Sequence, residues 1–135
     1  MSNYSFQDDY PVGQMQFEGF NQYQDFTATT DKAGSDLNTI LGLGGELGEI
    51  MEKVKKITRD VNDVWPFGVS EVNFDRDFSA DERAELAKEI GDVLWYASRL
   101  SDRLGYRLGD IVRLNVEKLT SRKERGVLHG SGDNR

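Results

Sequence analysis

Glu46 and Glu49 stand three residues apart in the stretch "LGLGGELGEI", residues 41–50, and Glu89 and Asp92 repeat that spacing in "ELAKEIGDVLWY". At about 100° per residue each pair projects from one side of a helix, bordering its apolar stripe. Two helices packed by those stripes would aim four carboxylates into one groove. Oxygen donors at this spacing, with neither histidine nor cysteine among them, suit a hard divalent cation, Mg²⁺ with Mn²⁺ as a substitute, better than zinc. Without a cation the acids would repel one another. A single acidic pair is usually a solvated helix face, and Lys53, Lys55, Lys56 and Lys88 are near enough for ordinary surface pairing. Two matched pairs at the core edge shift the balance toward a site.

The opposite charge comes later. Asn115, Lys118 and Arg122 in "NVEKLTSR" fall within a helical arc of about 60°. An amide and two cations on one strip make a phosphate-gripping surface, since arginine can bind phosphate through two nitrogens at once. A solvated face is the plain alternative. A di-iron carboxylate bundle needs Glu-x-x-His on two helices. The only histidine, His129, follows no such glutamate, so that chemistry is disfavoured.

The elements that must position these groups read as helices throughout. The first spans about Met15 to Thr29, with Phe20, Tyr23, Phe26 and Thr27 along one side. The second, about Asp36 to Arg59, spaces Ile40, Leu43, Leu47, Ile50, Val54 and Ile57 at three and four residues, the amphipathic signature. Ser79 and Glu82 form a capping box that starts the third, whose stripe of Leu86, Ile90, Val93, Ala97, Leu100 and Leu104 ends before Gly105. The fourth runs from about Leu108 to Glu124 and carries Ile111, Leu114, Val116 and Leu119. No alternating strand pattern of useful length occurs. The expectation is an all-α, four-helix bundle-like fold in a single domain over residues 1–135, completed by oligomerisation. It has an N-terminal extension at 1–14, a long loop at 60–79 and a tail at 126–135. Trp65, Phe67 and Phe74 in the loop serve either as a lid over a ligand or as an anchor to the bundle.

Composition narrows the function classes. A chain of 135 residues with no cysteine excludes disulfides, thiolate catalysis and sulfur-ligated metals. A net charge of −7 disfavours nucleic-acid binding, and a polyphosphate would also be repelled unless cations intervened. No basic leader followed by an apolar run, and no window near the roughly 20 apolar residues of a membrane span, is present, so a cytoplasmic protein without membrane association is expected.

Taken together, "GELGE", "ELAKEIGDVLWY" and "NVEKLTSRKERGVLHGSGDNR" resemble the MazG-like nucleoside triphosphate pyrophosphohydrolases of the all-α NTP pyrophosphatase superfamily. The resemblance covers about two thirds of the chain. It implies Mg²⁺-dependent hydrolysis of an NTP or dNTP between the α and β phosphates, giving the monophosphate and pyrophosphate, with a lean toward dGTP or GTP. The family pattern, EExxE followed by ExxD, places the metal ligands at Glu46, Glu49, Glu89 and Asp92, with Gly45 where the first glutamate usually stands. Glu46 or Glu49 would act as general base. Lys118 and Arg122 would hold phosphates with Asn115 beside them. Lys53 joins the substrate-binding set, and Gln24, in what looks like the family's first helix, would contact base or sugar. The resemblance also implies a homotetramer, as a dimer of dimers, or a homodimer. Rival readings are a dUTPase or phosphoribosyl-ATP pyrophosphatase of the same superfamily, and a noncatalytic helical interaction module.

Four glycines crowd the second helix at positions 42, 44, 45 and 48, each costing roughly 0.8–1 kcal/mol relative to alanine. Gly42 and Gly45 lie on the side of Glu46 and Glu49, where missing side chains would leave room for metals, water and phosphates. Gly42→Leu is then expected to damage turnover more than folding. Gly44 and Gly48 lie elsewhere and suit close helix packing.

Overall fold

Ser79 and Glu82 cap their helix reciprocally, the Glu82 backbone N–H donating to Ser79 Oγ at 3.2 Å and the Ser79 N–H to Glu82 Oε2 at 2.8 Å. In the computed structural model, which describes residues 19–32, 34–61 and 72–126, that helix is one of five. They are α1 (Phe20–Thr30), α2 (Asp36–Val61), α3 (Phe74–Asp77), α4 (Ala80–Arg103) and α5 (Leu108–Glu124). No strand occurs among the described residues, so the chain is all-α as expected. Residues 15–18 of the expected first helix, residues 62–71 of the expected loop with Trp65 and Phe67, and residues 127–135 of the tail with His129 lie outside the described residues.

α4 ends in a Schellman motif. Gly105 adopts φ 78°, the Tyr106 N–H donates to Ser101 O at 3.0 Å and the Gly105 N–H to Asp102 O at 3.0 Å. Only glycine takes that left-handed conformation without strain, which is why the helix stops there. Gly126, at φ 69°, closes α5 in the same conformational region.

The one-turn helix α3 has no apolar periodicity to announce it. Side-chain capping makes it: Asn73 Oδ1 accepts from the N–H groups of Asp75 and Arg76, each at 3.0 Å. Asp77 accepts from the Asn73 N–H at 3.0 Å and from Arg76 Nε and Nη2 at 2.5 and 2.7 Å. The Arg76 guanidinium and, after it, the Asn73 N–H hold the Asp77 carboxyl at about 2. A depressed carboxyl stabilises the fold above its unfolded value, near 3.8, and this contribution disappears as pH falls through about 2. Urea midpoints measured from pH 5 down to pH 2 should therefore fall, and Asp77→Asn should flatten that part of the profile.

The helices gather into two compact units. One holds α1, α5 and the last residues of α4 from Ser101 on; the other holds α2, α3 and α4 up to Leu100. In the first, α1 is tied to α5 by polar contacts: Arg107 donates to Asn21 O at 3.0 Å and to Asp25 at 2.7 Å, and the Gly109 N–H to Asn21 Oδ1 at 2.9 Å. Arg103 pairs with Asp31 at 3.1 Å. In the second, Phe78 and Leu86 are buried, and the Phe74 ring lies 4.9 Å from that of Phe78.

The apolar stripes are wider than the faces they bury. Ile40 and Leu47 of α2, Ile90 and Leu104 of the α4 segment, and Leu114, Val116 and Leu119 of α5 are exposed, contrary to their expected core positions. On α2 the packed side is rotated toward Leu43, Ile50, Val54 and Ile57, which are partly covered. No described helix is long and apolar enough to cross a membrane.

Candidate metal centre

α2 carries Glu46, Glu49 and Lys53 at i, i+3 and i+7, and α4 carries Glu85, Glu89 and Asp92 at i, i+4 and i+7, so each helix presents its charged groups as one axial row. The two rows meet. Glu46, Glu89 and Asp92 each offer a carboxylate oxygen, and these oxygens lie within 4.8 Å of one another. Glu46 and Glu89 are half-buried and Asp92 is exposed. Glu49 is exposed and stands one turn beyond Glu46, outside the convergent three.

The acids act on one another electrically. Burial pushes the Glu46 carboxyl above its ordinary value, and the charges of Asp92, Glu89 and Glu49, in that order, push it further. All four carboxylates singled out from the sequence therefore belong to one electrostatic group. A small hard cation has bonds of about 2.1 Å, so oxygens within 4.8 Å of one another are close enough for one ion to draw together. Oxygen donors, like-charge repulsion and this proximity fit a divalent cation, which Glu46, Glu89 and Asp92 could hold.

Lys53 reaches into the group. Its Nζ lies 2.5 Å from Glu89 Oε1 and 3.8 Å from Glu85 Oε2. The hydrogen bond to Glu89, followed by the charges of Glu89, Glu85 and Glu49, holds the ammonium above its ordinary value. The other nearby lysines pair locally, Lys55 and Lys56 with Glu52 and Lys88 with Glu85 at 2.5 Å.

The groups expected to bind substrate divide by environment. Asn115 and Lys118 are exposed and, with Ile111 and Leu114, line an open concavity of about 400 Å³ on α5. Arg122, on the same helical strip, is turned inward and only 7% exposed. Gln24 is fully buried, and its amide works within the chain. Its Nε2 donates to Asp102 Oδ1 and to Tyr106 O at 3.0 Å, while its Oε1 accepts from the Leu108 N–H at 2.7 Å. It thereby fastens α1 to the turn between α4 and α5. Gln24→Leu leaves buried polar groups without partners and should cost about 2 kcal/mol or more of unfolding free energy. A raised KM at unchanged stability would instead assign Gln24 to the substrate. No periodicity signals this clamp.

Gly42 has a different reason from the expected one. A Cβ built there would lie 2.1 Å from Tyr96 Cε1, so the missing side chain admits the Tyr96 ring rather than a ligand. Gly44, Gly45 and Gly48 have nothing within 4 Å of such a Cβ. The room expected beside Glu46 is present at Gly45, and the helix packing expected at Gly44 and Gly48 has no partner among the described residues.

Comparison with known proteins agrees with this geometry. The family profile described as the MazG nucleotide pyrophosphohydrolase domain matches residues 35–127, which includes the five acids of the two rows and Lys53. The Gene 37 protein of Mycobacterium phage L5 is 43% identical over 95 residues, covering 70% of this chain and 72% of that protein. The uncharacterized protein YvdC of Bacillus subtilis (strain 168) is 31% identical over 78 residues, 58% of this chain and 73% of YvdC. No solved structure matches. With the carboxylate rows of α2 and α4 inside the matched region, the chain belongs to the MazG nucleotide pyrophosphohydrolase family, whose members act on nucleotides and generally use a divalent metal.

Proposed function

We propose that this protein hydrolyses nucleoside or deoxynucleoside triphosphates between the α and β phosphates, releasing the monophosphate and pyrophosphate, with Mg²⁺ as cofactor and Mn²⁺ as a substitute. The convergence of Glu46, Glu89 and Asp92 carries the reading. When bound, the cation neutralises phosphate charge and polarises the attacked phosphorus. Glu46, Glu89 and Asp92 would hold it; Glu49, beyond those three, takes the proton of the attacking water in this reading. Glu46 serves as base only if its carboxylate leaves the convergent set. Water adds to the α phosphorus, the bond from that phosphorus to the bridging oxygen breaks, and pyrophosphate departs with the bond's electrons. Lys118 and Arg122, with Asn115, are assigned to the phosphates by the family resemblance, and Lys53 reaches a phosphate if it exchanges its partner Glu89 for it.

The resemblance leans toward dGTP or GTP. The proposal takes residues 1–135 as one MazG-like domain, active in the cytoplasm as a homodimer or a dimer of dimers, with no nucleic-acid partner. A panel of NTPs, dNTPs including dUTP, and phosphoribosyl-ATP tests the substrate assignment through kcat/KM. The account expects purine triphosphates, guanine foremost, to lead. A panel led by dUTP or phosphoribosyl-ATP would move the protein to the related pyrophosphatases. Wild-type activity indistinguishable from that of Glu49→Gln would leave a noncatalytic helical module.

A further inference from the structure

Lys53 leans away from the partner that its position on α2 offers it. The antiparallel register that sets Gly42 against Tyr96 and Glu46 beside Asp92 places Lys53 opposite Glu85. Its Nζ nevertheless lies 2.5 Å from Glu89 Oε1, one turn nearer the convergent acids, and 3.8 Å from Glu85 Oε2. Burial explains the choice. The Glu89 side chain is 16% exposed and that of Glu85 52%, so the ion pair with Glu89 is the less screened of the two. Glu85 also has a lysine of its own, since Lys88 holds its other oxygen, Oε1, at 2.5 Å. The Lys53 ammonium thus sits on a carboxylate that also belongs to the group of Glu46 and Asp92.

We propose that Lys53 is the resident counter-cation of the carboxylate group in the metal-free protein, and that it yields Glu89 to the divalent cation by falling back on Glu85. It is then a positioning residue, acting through Glu89. Repulsion among Glu46, Glu49, Glu89 and Asp92 opposes assembly of the groove without a metal, and an ammonium on Glu89 offsets part of it. A divalent ion on the same carboxylate would stand close to that ammonium, where like charges in a partly buried setting repel. The retreat is short. Glu85 Oε2, the oxygen that Lys88 does not use, is already 3.8 Å from the Lys53 Nζ, and a carboxylate accepts from several donors. Glu85 and Glu89, one turn apart on α4, are therefore two stops for one lysine. The cation binds in competition with Lys53, and Glu85 promotes its loading without touching it.

The inference rests on the metal reading above, and the test separates the two. Mn²⁺ is titrated without nucleotide and followed by electron paramagnetic resonance, with Asp92→Asn identifying the binding that belongs to the site. Lys53→Met should tighten that binding roughly fivefold, about the worth of one partly exposed ion pair, and should lower the melting temperature in EDTA. Lys53→Arg, which keeps the charge, should stay near wild type in both. Glu85→Gln should weaken Mn²⁺ binding by a similar factor and lose that effect in the Lys53→Met background, where no lysine remains to be received. Weaker binding in Lys53→Met would overturn the proposal and make Lys53 a fixed support of Glu89. An unchanged affinity would overturn it too, and a raised nucleotide KM would then assign Lys53 to a phosphate. Equal weakening by Glu85→Gln in both backgrounds would overturn the exchange between the two glutamates. A wild type that binds no more Mn²⁺ than Asp92→Asn would overturn the proposal together with the metal reading.

Discussion

Asp92→Asn is expected to lower turnover by at least about 100-fold while leaving the melting temperature, measured in EDTA, unchanged or higher. The magnitude follows from metal sites in general, where loss of even an outer hydrogen-bond partner of a ligand costs about 10–100-fold. The stability half follows from this protein's electrostatics. Asp92 is the strongest charge acting on Glu46, raising its pKa after burial itself. Neutralising Asp92 relieves a repulsion that the metal-free protein must otherwise sustain. Wild type should gain melting temperature as Mg²⁺ is added, by the linkage of ligand binding to folding, and Asp92→Asn should lose most of that gain. Calorimetry with and without Mg²⁺, beside initial rates, checks both halves. Unaltered turnover would remove Asp92 from the site; a large loss of stability in EDTA would mean that the carboxylate is structural.

Gly42→Ala is expected to destabilise the protein although it replaces a helical glycine with the best helix former. The helix itself gains roughly 1 kcal/mol from such a change. The new Cβ, however, would overlap the Tyr96 ring, with three ring carbons between 2.1 and 2.8 Å away. Overpacking of this kind costs about 1–3 kcal/mol, so the clash outweighs the propensity gain. Gly45→Ala, three positions on and open to solvent, should show the propensity gain alone, about 0.5–1 kcal/mol. Denaturant unfolding of both variants should give opposite signs, and Tyr96→Leu in the Gly42→Ala background should recover part of the loss. Equal gains at both positions would contradict the packing assigned to Gly42. The effect thus falls on folding first, the reverse of the expectation that Gly42 makes room for substrate.

These two positions show what the sequence makes legible. Carboxylate spacing was readable because both pairs sit on long helices, where angular position follows directly from residue number. The start of α4 at its capping box, its end at Gly105 and the limits of α5 were legible for a related reason, since caps act locally and through specific residue types. Tyr96 against Gly42 was not legible, because it joins two helices and depends on how each is rotated about its axis. The same rotation explains why Ile40 and Leu47 were assigned to the core: an apolar stripe shows that a side is hydrophobic without showing which part of it packs within the chain. Helix α3 escaped because it is a capped turn around Asn73 and Asp77 rather than a periodic segment. Gln24 illustrates a further limit, as a buried amide clamp and a base-reading amide have the same composition and the same helical position.

The most direct test of the central claim is product analysis with a purine triphosphate in the presence of Mg²⁺, repeated with excess EDTA. Monophosphate and pyrophosphate in equal amounts, abolished by EDTA and restored by Mg²⁺ or Mn²⁺, is the predicted result. Diphosphate and orthophosphate as products, or hydrolysis indifferent to EDTA, would contradict it.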